Sequence, residues 1–305
     1  MEPGGDGLNN RFKTEVPLHF MLLPGVIIVL IYNYFPMSGI VMAFQNFIPT
    51  KGITGSEWVG WDNFSYLFSL PDTQQVIGNT LYIAILKIVV GLIAPITVAL
   101  LLNEVAKQWF KKTIQTLVYI PHFLSWIILG GILIDLLSPS EGVVNQIITS
   151  MGFEPVFFLG DNKWFPFTLV ISETWKEFGF STIVYLAALT GINPSLYESA
   201  AIDGANHWKR MLHITLPGML PVIVLMVTLS MGSVLNAGFD QVFVLYSPQV
   251  YESGDIIDTM VYRMGLVDMQ YSAATAVGLF KSFTSLILIS ISYWLAFRFA
   301  NYRIF

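Results

Sequence analysis

The chain has 305 residues, of which 54% are hydrophobic and 11% charged, with a formal net charge of −5 and a mean hydropathy of +0.65. Soluble domains carry about 25% charged residues, so this composition excludes an ordinary soluble protein and indicates a polytopic membrane protein. The absence of cysteine excludes disulfides and thiolate metal sites, and no basic run or acidic tail indicates nucleic-acid binding.

Six apolar runs are long enough for membrane-spanning helices, each of which needs about 20 residues. The fourth run is the most polar, because the stretch SETWKEFGF interrupts it. The first run is interpreted as a retained signal-anchor helix, since its apolar part is long and no A-x-A site follows it. The predicted fold is therefore an all-α integral membrane protein with six transmembrane helices, near 18–35, 80–102, 114–137, 164–192, 216–237 and 273–299.

Basic residues are unequally divided between alternate connections. The positive-inside rule predicts that both termini, including the N-terminal segment 1–17, are cytoplasmic and that the connections 45–75, 138–163 and 240–270 are external. The external connections carry three basic residues, Lys51, Lys163 and Arg263, whereas the cytoplasmic side carries nine, namely Arg11, Lys13, Lys107, Lys111, Lys112, Lys209, Arg210, Arg298 and Arg303.

A patterned polar segment, SLYESAAIDGANHWKRMLHITLP, separates the fourth and fifth spans on the cytoplasmic side. Ser195 and Glu198 have capping-box spacing, which predicts a short helix over 196–203 that begins at Ser195. Gly204 is suited to the left-handed position after that helix, and Asn206 to the cap of a second short helix. The segment 193–215 is thus a predicted helix–turn–helix, ending where Pro217 starts the fifth span.

Two roles are open for this helix pair on physical grounds. It can lie in the lipid headgroups as an amphipathic hairpin. It can also dock into a groove of a soluble partner, because its alanines leave one face shallow and Trp208, Met211 and Leu212 form an apolar face on the second helix.

The order E-x-A-x-x-D-G-A followed by I-x-L-P resembles the signature loop of permease subunits of binding-protein-dependent ABC importers. Ser199 stands where that motif usually has a second alanine. The resemblance extends over nearly the whole chain, through stretches such as FKKTIQTLVYIPHFLSW and IVYLAALTGINPSLYESAAIDGA, and is greatest to the maltose-permease-like branch that carries oligosaccharides and polysaccharides, including acidic ones such as alginate. The resemblance assigns coupling to an ATPase to Glu198, Ser199, Ala200, Asp203, Gly204 and Ala205.

The resemblance also implies a multi-pass protein of the bacterial cytoplasmic membrane and a set of partners. These are a second, different permease, two ATPase subunits that hold ATP and Mg, and an external solute-binding protein that delivers the sugar for alternating access. The chain itself has no G-x-x-x-x-G-K-[ST] phosphate loop, so it is expected to be neither an enzyme nor the holder of a cofactor or metal.

Charged residues inside the spans are candidates for function, since burying them is costly unless they are paired or hydrated. Lys176 is three residues from Glu173 and can pair with it along the helix. The set is either a structural ion-pair network or the lining of a sugar path, and the candidate path residues are Lys87, Glu173, Trp175, Lys176, Glu177 and Lys281. His122, beside Pro121, is interpreted as a packing residue.

The acidic connection at 240–265 is placed where the resembled permeases meet the binding protein. It is either that contact or a solvated lid, and its candidate contact residues are Asp240, Tyr251, Asp255 and Asp258. Two rival functions remain at this point, an ion-coupled secondary transporter and an ABC permease for a solute other than a sugar.

Overall fold

The computed structural model describes residues 6–232 and 234–300. Three parts of the sequence predictions lie outside the described residues. They are residues 1–5 of the predicted N-terminal segment, Ser233 of the predicted fifth span, and Arg303, one of the nine basic residues assigned to the cytoplasmic side. The α-helices are α1 (Asp6–Val29), α2 (Gly52–Gly55), α3 (Asp62–Ser69), α4 (Pro71–Glu104), α5 (Gln108–Tyr119), α6 (Trp126–Leu137), α7 (Val143–Ser150), α8 (Phe165–Thr190), α9 (Pro194–Ile202), α10 (His207–Arg210), α11 (Leu216–Gly232), α12 (Phe239–Leu245), α13 (Tyr251–Gly254), α14 (Ile257–Tyr262) and α15 (Tyr271–Ala300).

Short segments of other helical types join or extend these helices. Leu30–Tyr34, Met211–Thr215 and Arg263–Val267 are π-helical, and Phe35–Phe44, Ile120–Phe123 and Pro248–Val250 are 3-10 helical. A two-stranded antiparallel sheet, β1 (Gln45–Asn46) with β2 (Glu57–Trp58), pairs Gln45 with Trp58. The all-α prediction therefore holds for the spans, with a small hairpin added in the connection 45–75.

Within the described residues, four helical stretches are long and apolar enough to cross a membrane, namely Glu15–Phe44, Pro71–Glu104, His207–Gly232 and Tyr271–Trp294. A fifth candidate is the bent pair Gln108–Phe123 and Trp126–Leu137. The remaining predicted span, the fourth at 164–192, corresponds to α8, a continuous helix of 26 residues. At 1.5 Å per residue it is about 39 Å long, which is enough to cross a bilayer, but its three charged residues lower its apolar character.

The third predicted span, 114–137, is broken into two helices. Helix α5 and the following 3-10 turn meet α6 at an angle of 104°. Leu124 is extended (φ −84°, ψ 139°), and the Ser125 hydroxyl accepts a hydrogen bond from the backbone N–H of Ile128 to cap α6. Pro121 lies within the 3-10 turn, and the chain changes direction after it, at the extended residues Leu124 and Ser125.

The first span also differs, because helical structure continues beyond the predicted end at residue 35 to Phe44. The connection 240–270, predicted to be external, is folded against the spans. Its apolar residues Val242, Val250 and Ile256 are fully buried, which disfavours the solvated-lid interpretation. The buried apolar residues form clusters where α4 and α8 meet α11, α12 and α15.

Candidate functional site

The first helix of the coupling segment, which we define as residues 193–215, does not begin as predicted. Asn193, not Ser195, is the N-cap, and its side-chain oxygen accepts a hydrogen bond of 3.0 Å from the backbone N–H of Ser195. Pro194 follows as the first helical residue, where its missing N–H costs nothing and its fixed φ suits the helix. The predicted capping box of Ser195 and Glu198 is therefore wrong. The helix begins two residues earlier, because Asn193 caps it and Pro194 is its first residue.

The end of α9 matches the prediction for Gly204, which has φ +74°. The Ala205 N–H donates to the Ala200 carbonyl at 2.8 Å and the Gly204 N–H donates to the Ala201 carbonyl at 3.1 Å. These two bonds form the Schellman motif, which closes a helix end with a left-handed residue. The backbone of the signature motif is thus fixed by its own local hydrogen bonds.

The second helix begins as predicted, since the Asn206 side chain accepts a bond of 2.9 Å from the Lys209 N–H. It does not end before the fifth span. Instead α10, the π-helical segment Met211–Thr215 and α11 form one helical stretch over His207–Gly232. The wider π turn is explained by Pro217, which has no N–H to bond the carbonyl four residues earlier and whose ring would clash with it.

The coupling segment protrudes with apolar side chains exposed. None of the residues Pro194–Ile202 is buried, and Ile202 is 87% exposed and Trp208 69% exposed. Within the segment Glu198, Ser199, Asp203 and Gly204 are exposed, whereas Ala200 and Ala205 are half-buried. A hydrogen bond of 3.0 Å between the hydroxyls of Tyr197 and Thr215 joins α9 to the start of the fifth span.

Lys87 of α4 and Glu173 of α8 meet between these two helices. The Lys87 ammonium lies 3.6 Å from the Glu173 carboxylate and donates to the Ala237 carbonyl at 2.6 Å. It also donates to the Gln241 side-chain oxygen. The two side chains line a cavity of about 350 Å³, which we call the central cavity, together with Glu177, Ser181, Ser230 and Asn236. A cavity with this charged and amide lining inside apolar helices is suited to a hydrated polar solute.

Lys176 does not pair with Glu173 as predicted. Its ammonium donates to the Glu177 carboxylate at 2.8 Å and to the His122 carbonyl at 3.0 Å. The other Glu177 oxygen lies 2.7 Å from His122 Nδ1, and the His122 ring stacks on Phe180 at 4.1 Å. The bend of the third span brings His122 to α8, which sequence spacing does not reveal. His122 is thus a hydrogen-bond partner of Glu177 as well as a packing residue.

Lys281 lies apart from this group and pairs with Asp258 at 2.5 Å. Both line a larger cavity of about 1160 Å³, the outer cavity, which also meets Asn236. Trp175 is 41% exposed and lines neither cavity. The structure therefore divides the six candidate path residues into a central group, a separate Lys281 pair and an outlying tryptophan.

The candidate residues for contact with the binding protein differ in their exposure to solvent. Asp240 is exposed and Tyr251 is half-buried, but Asp255 is 3% exposed. Asp255 forms a bidentate ion pair with Arg263, whose guanidinium lies 4.8 Å from the Tyr251 ring centre. The hydrogen bond to Asp255 raises the pKa of Arg263. Of the four candidate residues for contact with the binding protein, Asp240 and Tyr251 therefore remain. Asp255 is enclosed by its own chain, and Asp258 lines the outer cavity.

Sequence reasoning missed Gln241 and Asn236. Gln241 is fully buried, accepts from Lys87 and donates at 2.8 Å both to the Leu169 carbonyl and to the Ser172 hydroxyl. A glutamine among apolar residues just after a span was the available signal, since a buried amide needs several partners. Among the described residues, no group of three or more His, Asp or Glu side chains is placed to hold a metal.

A set of apolar spanning helices around a charged cavity, with a protruding helix pair at one end, defines a membrane transport permease. The family model for binding-protein-dependent transport system inner membrane components matches residues 87–301, which is more than half of the chain. The chain therefore belongs to this family, and it is a permease subunit of the ABC-importer type in the bacterial inner membrane.

Relatives and solved structures agree over nearly the whole chain. The polygalacturonan/rhamnogalacturonan transport system permease protein YteP of Bacillus subtilis (strain 168) is 43% identical over 288 residues, which cover 94% of this chain and 90% of YteP. A crystal structure of a bacterial ABC transporter involved in the import of the acidic polysaccharide alginate matches with a TM-score of 0.88 and 40% identity, covering 96% of this chain and 99% of that one. A crystal structure of a bacterial alginate ABC transporter in complex with alginate pentasaccharide-bound periplasmic protein also matches, with a TM-score of 0.88 and 39% identity. The match covers 97% of this chain and 99% of that one.

Proposed function

We propose that the chain carries an acidic oligosaccharide or polysaccharide across the membrane as one permease subunit of an ATP-driven importer. The observation that carries this proposal is the central cavity, where Lys87, Glu173 and Glu177 are held between apolar helices. Paired charges and amides of this kind can exchange hydrogen bonds with sugar hydroxyls and carboxylates. The relatives named above support an acidic polymer as the substrate class.

The chain crosses the membrane six times in this proposal, with α8 as the fourth span and both termini in the cytoplasm. The charges of α8 are compatible with this position because they face partners, namely Lys87 for Glu173 and His122 with Lys176 for Glu177. The three basic residues of the external connections, against nine on the other side, support the orientation.

The coupling segment docks on a partner ATPase subunit, which hydrolyses the ATP. Its exposed apolar side chains Leu196, Ile202 and Trp208 support a protein contact, and the fixed turn at Gly204 makes α9 a rigid knob. Movement of α9 is transmitted to the fifth span by two connections. The Tyr197 hydroxyl of α9 is hydrogen-bonded to the Thr215 hydroxyl, and α10 continues into α11 as one helical stretch. The ATPase acts by binding the inward- and outward-facing states with different affinity.

A second, different permease completes the path, and an external binding protein delivers the sugar near Asp240 and Tyr251. The first span is exposed along its length, with none of its most apolar stretch buried within the chain, so it is free to contact another permease or lipid. ATP and Mg are assigned to the partner ATPases.

The test is uptake by proteoliposomes that hold the chain with its own second permease, ATPases and binding protein. We expect uptake of radiolabelled galacturonate or alginate pentasaccharide that requires internal ATP and stops with Glu198→Lys, while the complex still inserts. An exposed Glu57→Lys control on the external side should transport normally. Uptake that needs an ion gradient and no ATP would establish the secondary-transporter alternative. ATP hydrolysis stimulated by a solute other than a sugar would establish the non-sugar alternative.

A further inference from the structure

Five aromatic rings form a continuous row on the external segment that follows the fifth span. Phe239 and Phe243 stack at 5.2 Å between ring centres, and Tyr246 and Tyr251 stack at 5.1 Å. Phe243 links the two pairs, since its ring lies 6.3 Å from that of Tyr246. Tyr262 packs against Phe243 at 4.7 Å and Phe239 at 5.7 Å. We call this row the aromatic strip.

The strip is accessible. Phe243 is 39% exposed, and the other four rings are half-buried rather than enclosed. A row that served packing alone would bury its ring faces to remove apolar area from water. Burial and its hydrogen bond with Tyr251 raise the pKa of Tyr246 to about 12, so its phenol is neutral at physiological pH. The strip therefore offers ring faces together with phenol hydroxyl groups.

One end of the strip opens into the outer cavity. Phe239 and Tyr262 line that cavity together with Asn33, Asn236, Asp258 and Lys281. The Asp258–Lys281 pair keeps about a fifth of each side chain exposed, and an accessible charge pair at membrane depth favours a hydrated cavity over a lipid-filled one. Asn236 also lines the central cavity, so the strip leads from the external segment towards the proposed sugar path.

We propose that the aromatic strip and the outer cavity form a sugar-binding subsite outside the central cavity, which takes successive pyranose units of the oligosaccharide. The apolar C–H faces of a pyranose pack against the negative faces of aromatic rings, as other positively polarised edges do. Asn33 and the Asp258–Lys281 pair then exchange hydrogen bonds with the hydroxyl groups. The assignment rests on the proposed function as a sugar permease.

The first experiment replaces Phe243 by photoreactive benzoylphenylalanine in the complete complex. Illumination during ATP-driven uptake of radiolabelled galacturonate or alginate pentasaccharide should attach the label to this chain. The same replacement at Phe68, a 52% exposed ring that packs edge-on against Phe280, is the control and should remain unlabelled. A cross-link from position 243 to the second permease, or no attached label while uptake proceeds, overturns the subsite.

A second experiment compares long and short sugars with Phe239→Ala, Phe239→Tyr and the control Phe68→Ala. We expect Phe239→Ala to lower pentasaccharide uptake about three- to tenfold relative to disaccharide uptake, since a longer chain meets more rings. Phe239→Tyr should retain the wild-type ratio. An equal loss for both sugars would assign the strip to packing and refute the subsite. If the wild-type complex takes up no sugar with ATP, the proposed function itself fails, and the subsite fails with it.

Discussion

The coupling segment and the outer segment, residues 237–267, are both connections that adjoin the fifth span, but different contacts determine their shapes. In the coupling segment the shaping bonds join neighbours, as from Ser195 to Asn193 and from Ala205 to Ala200. In the outer segment they join residues far apart in sequence. The Ile257 N–H donates to the Thr80 hydroxyl at 2.9 Å, and Lys87 donates to the Ala237 carbonyl.

This difference separates an exposed surface, for which we propose a partner contact, from a segment packed into the core. Helix α9 has no buried residue, whereas the outer segment buries Val242, Val250 and Ile256 completely. Substitutions in the coupling segment should therefore change transport without unfolding the protein. Substitutions at the anchors of the outer segment should lower stability first.

The largest expected effect is at Lys87, which anchors the outer segment and pairs with Glu173. Lys87→Met should lower the free energy of unfolding by about 3 kcal/mol, because it leaves a carboxylate without its cation inside the membrane. Thermal unfolding in detergent measures this, with exposed Lys51→Met as an unaffected control. Adding Glu173→Gln should restore most of the loss. If the double variant is stable yet fails to transport, the pair lines the path; if it transports normally, the pair is structural.

The second effect is at Gly204 in the coupling segment. Gly204→Pro should reduce ATP-driven uptake about 100-fold, since proline holds φ near −65° and cannot replace a residue at +74°. Gly204→Asn should stay within about threefold of wild type, because asparagine tolerates the left-handed region and nothing lies within 4 Å of an added Cβ. Thermal unfolding of the membrane spans should be unchanged in both. Full activity of Gly204→Pro would contradict the rigid-knob assignment.

A smaller effect is expected at Arg263 in the outer segment. Arg263→Lys replaces a bidentate pair with Asp255 by a single contact and should cost about 1–2 kcal/mol of local stability. Hydrogen exchange should accelerate about tenfold across 251–267 and remain unchanged in α9. Lys163→Arg, an exposed change on the same side, is the matched control. Equal acceleration in both segments would remove the distinction between them.

The smallest effect on the fold is expected at Ile202, which is 87% exposed. Ile202→Ser should change the free energy of unfolding by no more than about 0.5 kcal/mol. It should still weaken association with the ATPase subunit about tenfold, because exposed apolar anchors dominate such contacts. Ile53→Ser, at a 38% exposed site on the external connection, should leave ATPase binding unchanged. Undisturbed binding of Ile202→Ser would exclude that side chain from the interface.

The charged residues of the central cavity could be identified from the sequence, but their partners could not. Sequence alone identified Lys87, Glu173 and Glu177 as intramembrane charges that require partners. It paired Lys176 with Glu173 because helical spacing is the only proximity a sequence displays. Glu173 instead meets Lys87, and Glu177 meets both its neighbour Lys176 and His122, so Lys87 and His122 come from other elements of the fold.

The sequence by itself determined the features that depend on composition and near neighbours. These are the apolar runs, the motif from Glu198 to Ala205 that indicated the family, the left-handed Gly204 and the cap at Asn206. Each follows from the free energy of apolar burial or from hydrogen bonds within a few residues, which local side-chain types control.

Only the tertiary structure decided the partners of the central charges and the burial of Asp255. It also divided the candidate path residues and brought five aromatic rings into one row beside the outer cavity. These features depend on contacts between residues distant in sequence, where packing and the pairing of buried charges outweigh local preference.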